Sequence, residues 1–332
     1  MTISATRLGR TGITVSGACL GTMTFGLQCD LPTSIAILDR AFELGVYFLD
    51  TADVYPLGGD FTTVGRTEEI IGDWIGSRRE ELVIATKCFG AMGPSPLNRG
   101  NSKRHIKRAV EGSLRRLRTD YIDLYQLHRF DPTVSIDETM EALDDLVREG
   151  KVLYVGASNY LAYQLALSIG RSDARDLVRF VTVQPRYNLL FREIERELLP
   201  LCDLEGIGVI PFNPIAGGML TGKHDRSAPP PEGSRFMLGN AKTVYEERYW
   251  NNHVFDTVDE LGSIAREAGL TLTQLSIAWV SNNPTITAPI IGASSPSQLD
   301  ETVGATSILL DADLMTKLNE TTRIYRQGDK GA

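Results

Sequence analysis

Cysteine and histidine are scarce in this sequence, with four of each in 332 residues. Cys19, Cys29, Cys88 and Cys202 form no C-x-x-C pair. No spacing gathers Cys and His as metal ligands, so neither a zinc centre nor a disulfide framework is expected. Reduced thiols in a cytoplasmic protein are the expectation. No run of about 18 apolar residues occurs, so no membrane-spanning helix is expected. Residues 1–10 are polar and lack the apolar stretch of a secretory signal. Positive charge is also short: 34 Lys and Arg stand against 42 Asp and Glu, a formal net charge of −8. That excludes a non-specific nucleic-acid binder, which needs a basic face to displace counterions. A last absence is G-x-G-x-x-G, the mark of a doubly wound dinucleotide-binding fold.

What is present is an ordinary supply of core residues, 42% hydrophobic, which argues against disorder. The 31 glycines are scattered singly or in pairs, as punctuation for many short elements. A hairpin is expected from 6–8 and 13–15 around the turn Gly9-Arg10-Thr11-Gly12. Apolar, β-branched runs then predict strands at 18–21, 46–50, 82–87, 122–127, 152–157, 180–184, 208–212 and 288–291. Helical periodicity predicts helices at 34–44, 67–77, 103–118, 136–149, 161–169, 194–205, 254–268, 272–282, 296–303 and 312–319. Thr33 and Ser34 stand as the cap of the first helix, and Ser135 with Glu138 has the spacing of a capping box. Gly45, Gly150 and Gly206 stand as helix stops. Eight strand-then-helix units imply parallel strands with right-handed crossovers. The fold class expected is α/β: a (β/α)8 TIM barrel with an N-terminal β-hairpin and additional helices near the C-terminus, one domain over 1–332. The stretch 213–250, with Pro229-Pro230-Pro231, is expected to be irregular and to lie on the C-terminal face.

Chemistry in a barrel belongs at the C-terminal ends of the strands. Asp50 ends the second strand, with Tyr55 five residues on. Lys87 ends the third and His128 the fourth. Each alone has a plain structural reading as a cap, a packed aromatic, a solvated ammonium or a core histidine. All four at one rim point to proton donation. A phenol is a poor acid at neutral pH, and a nearby ammonium lowers its pKa. Asp50 can hold that ammonium, and His128 can donate to a substrate carbonyl. No Ser or Cys stands beside a base, so acyl transfer does not fit.

These residues lie in segments that resemble the aldo-keto reductases over nearly the whole length. The segments are Leu20-Gly21-Thr22-Met23-Thr24-Phe25-Gly26, Phe48-Leu49-Asp50-Thr51-Ala52-Asp53-Val54-Tyr55, Ala85-Thr86-Lys87 and Asp120-Tyr121-Ile122-Asp123-Leu124-Tyr125-Gln126-Leu127-His128. Gly150-Lys151-Val152, Val155-Gly156-Ala157-Ser158-Asn159 and Val183-Gln184-Pro185-Arg186-Tyr187-Asn188 follow. The resemblance implies a catalytic tetrad of Asp50, Tyr55, Lys87 and His128, with Tyr55 as general acid in reduction. It implies a nicotinamide cofactor bound without a Rossmann motif. It also implies reduction of an aldehyde or ketone, with a sugar or secondary-metabolite carbonyl as one variant.

Cofactor positions follow from the same resemblance. Ser158, Asn159 and Gln184 match the carboxamide-binding side chains, and Phe212 the aromatic that stacks on nicotinamide. Gly21, Thr22 and Met23, beside Asp50, match the strip along the ribose and nicotinamide. The loop Asn213, Pro214, Ile215, Ala216, Gly217 through Leu220 to Lys223 resembles the pyrophosphate loop. Gly292, Ser294, Gln298 and Glu301 resemble the adenosine 2′-phosphate site at a helix N-terminus. No Arg or Lys stands near Ser294. The Gly-Ala-Ser form resembles the potassium-channel β-subunit branch, which binds NADP, with Lys223 and Arg235 as its assisting cations. The cofactor expected is therefore NADP(H), with NAD(H) second, and no metal. The partner expected is a small-molecule carbonyl or alcohol. The alternative implied by that branch is a cofactor-sensing regulatory subunit. Phe89, Arg129, Phe130, Tyr249 and Trp250 stand as either substrate contacts or rim packing.

Overall fold

The turn Gly9-Arg10-Thr11-Gly12 joins two short strands, β1 (Ala5–Arg7) and β2 (Thr14–Ser16), which pair antiparallel with Thr6 opposite Val15. Gly9 has φ +58°, and a Cβ there would lie within 2.9 Å of backbone atoms of Val181, Gly206 and Gly208, so only glycine allows this approach. Arg10 N–H donates to the carbonyl of Gly206 at 3.0 Å. The hairpin thereby caps the N-terminal end of a barrel. Leu8 and Val15 pack into the same apolar cluster as Phe48, Ala85, Leu124 and Ile210 from inside it. The structure, a computed structural model, describes residues 3–330.

Eight parallel strands follow: β3 (Cys19–Gly21), β4 (Phe48–Asp50), β5 (Val83–Cys88), β6 (Ile122–Leu127), β7 (Val152–Ser158), β8 (Thr182–Gln184), β9 (Gly208–Val209) and β10 (Ile290–Gly292). Their order is β10-β3-β4-β5-β6-β7-β8-β9. The ring closes where Thr287 N–H donates to Val209 at 2.8 Å and Ile290 N–H to Pro211 at 2.8 Å. This is the (β/α)8 TIM barrel that the alternation of patterns predicts, with its N-terminal hairpin. Strand β9 is shorter than expected because its continuation holds Pro211, which has no N–H for the ladder. The extended path persists, with Phe212 N–H donating to Pro185 at 2.9 Å.

The outer ring is α1 (Leu31–Glu43), α2 (Arg66–Ile75), α3 (Lys103–Leu117), α4 (Ile136–Arg148), α5 (Ala162–Arg175) and α6 (Leu198–Glu205). It continues with α7 (Lys242–Tyr249), α8 (Asn252–Glu267), α9 (Leu272–Ser281), α10 (Pro296–Ala305) and α11 (Ala312–Thr321). Their apolar faces and the outward strand residues form the main core. Helix α5 runs six residues past its expected end at 169, and α6 starts at Leu198 rather than at 194. Three further expectations change. Helix α1 begins three residues early, because Asp30 caps it by accepting from Thr33 N–H at 2.9 Å and Pro32 suits its first turn. Glu138 closes no capping box: it accepts from Lys103 N–H at 2.9 Å and so caps the neighbouring α3. The stretch 213–250 is not wholly irregular, since α7 lies inside it with Tyr245 and Tyr249 buried one turn apart. Among the described residues no helix is long and apolar enough to cross a membrane.

Candidate active site

Strand register puts Gly21, Asp50 and Ala85 side by side, and one pair higher sets Lys87 beside Gln126. The top of the barrel interior is therefore polar where its lower layers are apolar. Lys87, with no solvent exposure, reaches across to Asp50, 2.5 Å from Nζ to Oδ2, and also donates to the Thr51 carbonyl at 2.8 Å. The other carboxylate oxygen of Asp50 accepts from Gln184 Nε2 at 2.8 Å and Gln126 Nε2 at 3.0 Å. A buried ion pair whose remaining lone pairs are also satisfied is the geometry that offsets desolvation.

Tyr55 lies above this pair. Lys87 Nζ is 5.1 Å from the centroid of its ring. His128 meets the same ring edge-on, with centroids 5.8 Å apart and planes at 81°. Burial pushes the Tyr55 phenol above its usual pKa, and the pull of Lys87 in the other direction is outweighed. The ammonium alone thus does not produce the lowered phenol expected from the sequence. Burial, then the charges of Lys87 and Arg129, press His128 down to about 3, so the imidazole is neutral at pH 7. Burial also works against the Lys87 cation, but Asp50 and Tyr55 more than offset it and its pKa is raised.

Asp50, Tyr55 and His128 line a cavity of about 1100 Å³, with Lys87 buried behind them. Tyr55, His128, Gly21, Thr22 and Met23 line it, as do Ser158, Asn159, Gln184 and Phe212. Further out it is lined by Asn213, Pro214, Ile215, Gly217, Lys223 and Arg235, then by Gly292, Ser294, Gln298 and Glu301. Ala216 and Leu220 do not line it: both are fully buried in the core, where they anchor the loop. Asn213 shapes that loop by accepting from Gly217 N–H at 2.5 Å while its own Nδ2 donates to Tyr249 at 3.1 Å. A side chain at Gly217 would put a Cβ 2.6 Å from the Tyr245 ring. Asn159 Nδ2 donates to the His128 carbonyl at 2.9 Å, tying β7 to the histidine. Ser294 N–H donates to Gln298 Oε1 at 2.9 Å, and Glu301 accepts from Thr271 at 2.5 Å.

Of the rim candidates, Phe130 packs edge-on against Tyr160, and Trp250 against Phe236 and Phe255. Phe89, Arg129, Phe130, Tyr249 and Trp250 are not among the residues that line the cavity. Sequence reasoning gave no role to Gln126, His224 or Tyr245. His224 and Tyr245 line the cavity and Gln126 lies beneath it. The spacing of Tyr245 and Tyr249 was a signal for a buried helix face; the other two carry none.

The sequence matches the profile of the Aldo/keto reductase family over residues 18–323. It is 41% identical to "Uncharacterized oxidoreductase YrpG" of Bacillus subtilis (strain 168), over 95% of this chain and 94% of that one. It is 39% identical to "Probable voltage-gated potassium channel subunit beta" of Arabidopsis thaliana, over 91% and 90%. It is 34% identical to "Aldo-keto reductase dtxS3" of Metarhizium robertsii, over 94% and 89%. The profile takes in all eight barrel strands and the loops that bear the polar cluster, and on that match the chain belongs to the aldo/keto reductase family.

Proposed function

We propose that this chain, as one domain over 1–332, is an NADP(H)-dependent oxidoreductase that reduces an aldehyde or ketone to the alcohol. The observation that carries the reading is the Tyr55 phenol on the cavity wall, backed by the sealed Lys87–Asp50 pair. The residues present fit the cofactor. One continuous cavity holds amide and hydroxyl groups at its floor, a small-residue loop in its wall, and the cations Lys223 and Arg235 beyond it. Ser158, Asn159 and Gln184 would hold the carboxamide, with Phe212 against the nicotinamide ring. Gly217 and its neighbours would face the pyrophosphate. Ser294 and Gln298, with Lys223 and Arg235, would take the 2′-phosphate.

When bound, NADPH supplies the hydride that adds to the carbonyl carbon. Tyr55 gives its phenolic proton to the carbonyl oxygen, so the product is a neutral alcohol and the phenolate remains on the enzyme. Lys87 stabilises that phenolate, and Asp50 keeps the ammonium charged and fixed. Neutral His128 donates a hydrogen bond to the same carbonyl oxygen and orients the substrate. In oxidation the phenolate accepts the alcohol proton.

NADPH consumption with a panel of aldehydes and ketones tests this reading. Tyr55→Phe is expected to lower kcat by about 10²–10⁴-fold while cofactor binding persists. A Tyr55→Phe enzyme as active as wild type overturns the mechanism. A second reading, a cofactor-sensing subunit, rests on the identity with the Arabidopsis protein. NADPH binding without turnover of any carbonyl, together with a stable protein partner, favours that reading instead.

A further inference from the structure

The charge of the cavity does not match the anion it is read to hold. A pyrophosphate carries about two negative charges and a 2′-phosphate up to about two more. Among the described lining residues only Lys223 and Arg235 carry fixed positive charge, and Asp50, Asp60 and Glu301 line the same cavity. The chain as a whole stands at −8. A further donor is called for, and one side chain at this end of the cavity is unexplained.

That side chain is His224. Its ring is held edge-on by Phe236, at 5.1 Å between centroids, and by Trp250, at 5.3 Å. Among the described residues neither Nδ1 nor Nε2 has a hydrogen-bond partner, although both are buried. Asp53 and His105 also have two such atoms, but of the three only His224 lines the cavity. Nε2 faces the phosphate-loop backbone, 3.6 Å from where a Cβ on Gly218 would stand. We infer that His224 is a third phosphate-binding residue, which takes up a proton when the dinucleotide's pyrophosphate binds. The inference rests on the reading of this cavity as a dinucleotide site.

Electrostatics set the direction. Burial, then the charge of Lys223, hold His224 down to about 4, so the ring is neutral at pH 7. Arg235, Tyr245 and Glu301 are among the ionisable groups that line the same cavity from other elements. Glu301 is engaged by Thr271, and Asp225, next along the chain, is turned to Ser227. A phosphate beside the ring reverses the balance and favours the imidazolium. By linkage, a ligand that raises a pKa binds more tightly as pH falls.

Calorimetric titration of the full chain with NAD+ tests this, because NAD+ has the pyrophosphate and lacks the 2′-phosphate, whose own titration would intrude. Run in buffers of different ionisation heat, it is expected to show uptake of close to about one proton at about pH 5.5 and none at about pH 8. Affinity is expected to rise about tenfold over the same interval. His224→Phe keeps the aromatic packing on Phe236 and Trp250, and is expected to abolish both effects, so that its loss of affinity relative to wild type is larger at about pH 5.5 than at about pH 8. Should that variant fold poorly, NMR titration of His224 in the wild type gives the same answer: its pKa is expected to rise from about 4 when NAD+ binds. Dinucleotide binding with no His224-linked proton uptake overturns this inference alone. Failure of both NAD+ and NADP+ to bind overturns the reading of the cavity, and this inference with it.

Discussion

Gln184 donates to one oxygen of Asp50 at 2.8 Å while Lys87 takes the other oxygen at 2.5 Å. The carboxylate is thereby locked from both sides, at a depth where Lys87 has no solvent exposure. A buried pair of this kind contributes little net stability compared with apolar replacements, yet it is costly to break from one side. Lys87→Met leaves Asp50 as an uncompensated buried charge and is expected to cost about 3–5 kcal/mol in urea unfolding. Combining it with Asp50→Asn is expected to recover much of that loss. Additive losses in the double variant would show that the two side chains do not act as a pair.

The pH dependence of reduction separates Tyr55 from His128. Burial holds the Tyr55 phenol above its ordinary value of 10.0, so the acid form persists through neutral pH. His128, pressed down to about 3, stays neutral across the same range. At saturating cofactor, kcat for reduction is expected to be flat from about pH 6 to about pH 9 and to fall only in the alkaline limb. A break near the ordinary histidine value of 6.5 would mean that His128 titrates during turnover. His128→Gln, a neutral donor, is expected to lower kcat without introducing such a break.

Much of the barrel was legible in the chain because its strands are buried on both faces. Ile122–Leu127 has the bounds its pattern predicts, and all six of its residues are buried, Asp123 and Gln126 included. The tetrad was legible because its members sit at strand ends or in the loop just beyond, and strand ends are marked by the change from apolar to polar residues. The supports of the tetrad were not. Gln126 and Gln184 lie 76 and 134 positions from the Asp50 they hold, so no local pattern joins them. The start of α1 was misplaced for the opposite reason. Asp30, Thr33 and Ser34 are all good caps, and only the backbone geometry selects Asp30.

Asp53 shows what charge counting adds behind the site. Glu68 is paired, accepting from Arg116 at 2.7 Å and Thr86 at 2.6 Å, and Asp50 is paired with Lys87. Asp53 is fully buried, and among the described residues neither of its carboxyl oxygens has a hydrogen-bond partner. Burial, then the charge of Glu68, raise its pKa well above 3.8. A raised carboxyl pKa in the folded state contributes stability that is complete below the unfolded value and lost as pH rises through the folded one. Asp53→Asn removes that loss. The variant is expected to exceed wild type in unfolding free energy by about 1–3 kcal/mol at pH 8, with a smaller gain at pH 5. The infrared band of a protonated carboxylic acid is expected to vanish in the same variant. Destabilisation at pH 8 would instead mean that Asp53 is ionised and held by a partner.

Gly72 tests how closely two outer helices approach. It sits within α2, and a Cβ there would stand 2.1 Å from the carbonyl oxygen of Arg116 and 2.9 Å from the carbonyl carbon of Leu117, both on α3 or its end. Backbone cannot move aside as a side-chain tip can, so Gly72→Ala must push α2 and α3 apart. Alanine would otherwise favour the helix by about 1 kcal/mol over glycine. Here overpacking outweighs propensity, and a net loss of about 1–3 kcal/mol is expected in chemical denaturation. The strain also reaches the Arg116–Glu68 pair, because Arg116 supplies both the crowded carbonyl and the guanidinium. Glu68 in turn holds Thr86, next to Lys87, so kcat is expected to fall along with stability. A stabilised Gly72→Ala protein with unchanged kcat would show that the helices are free to separate and that the barrel rim does not depend on their spacing.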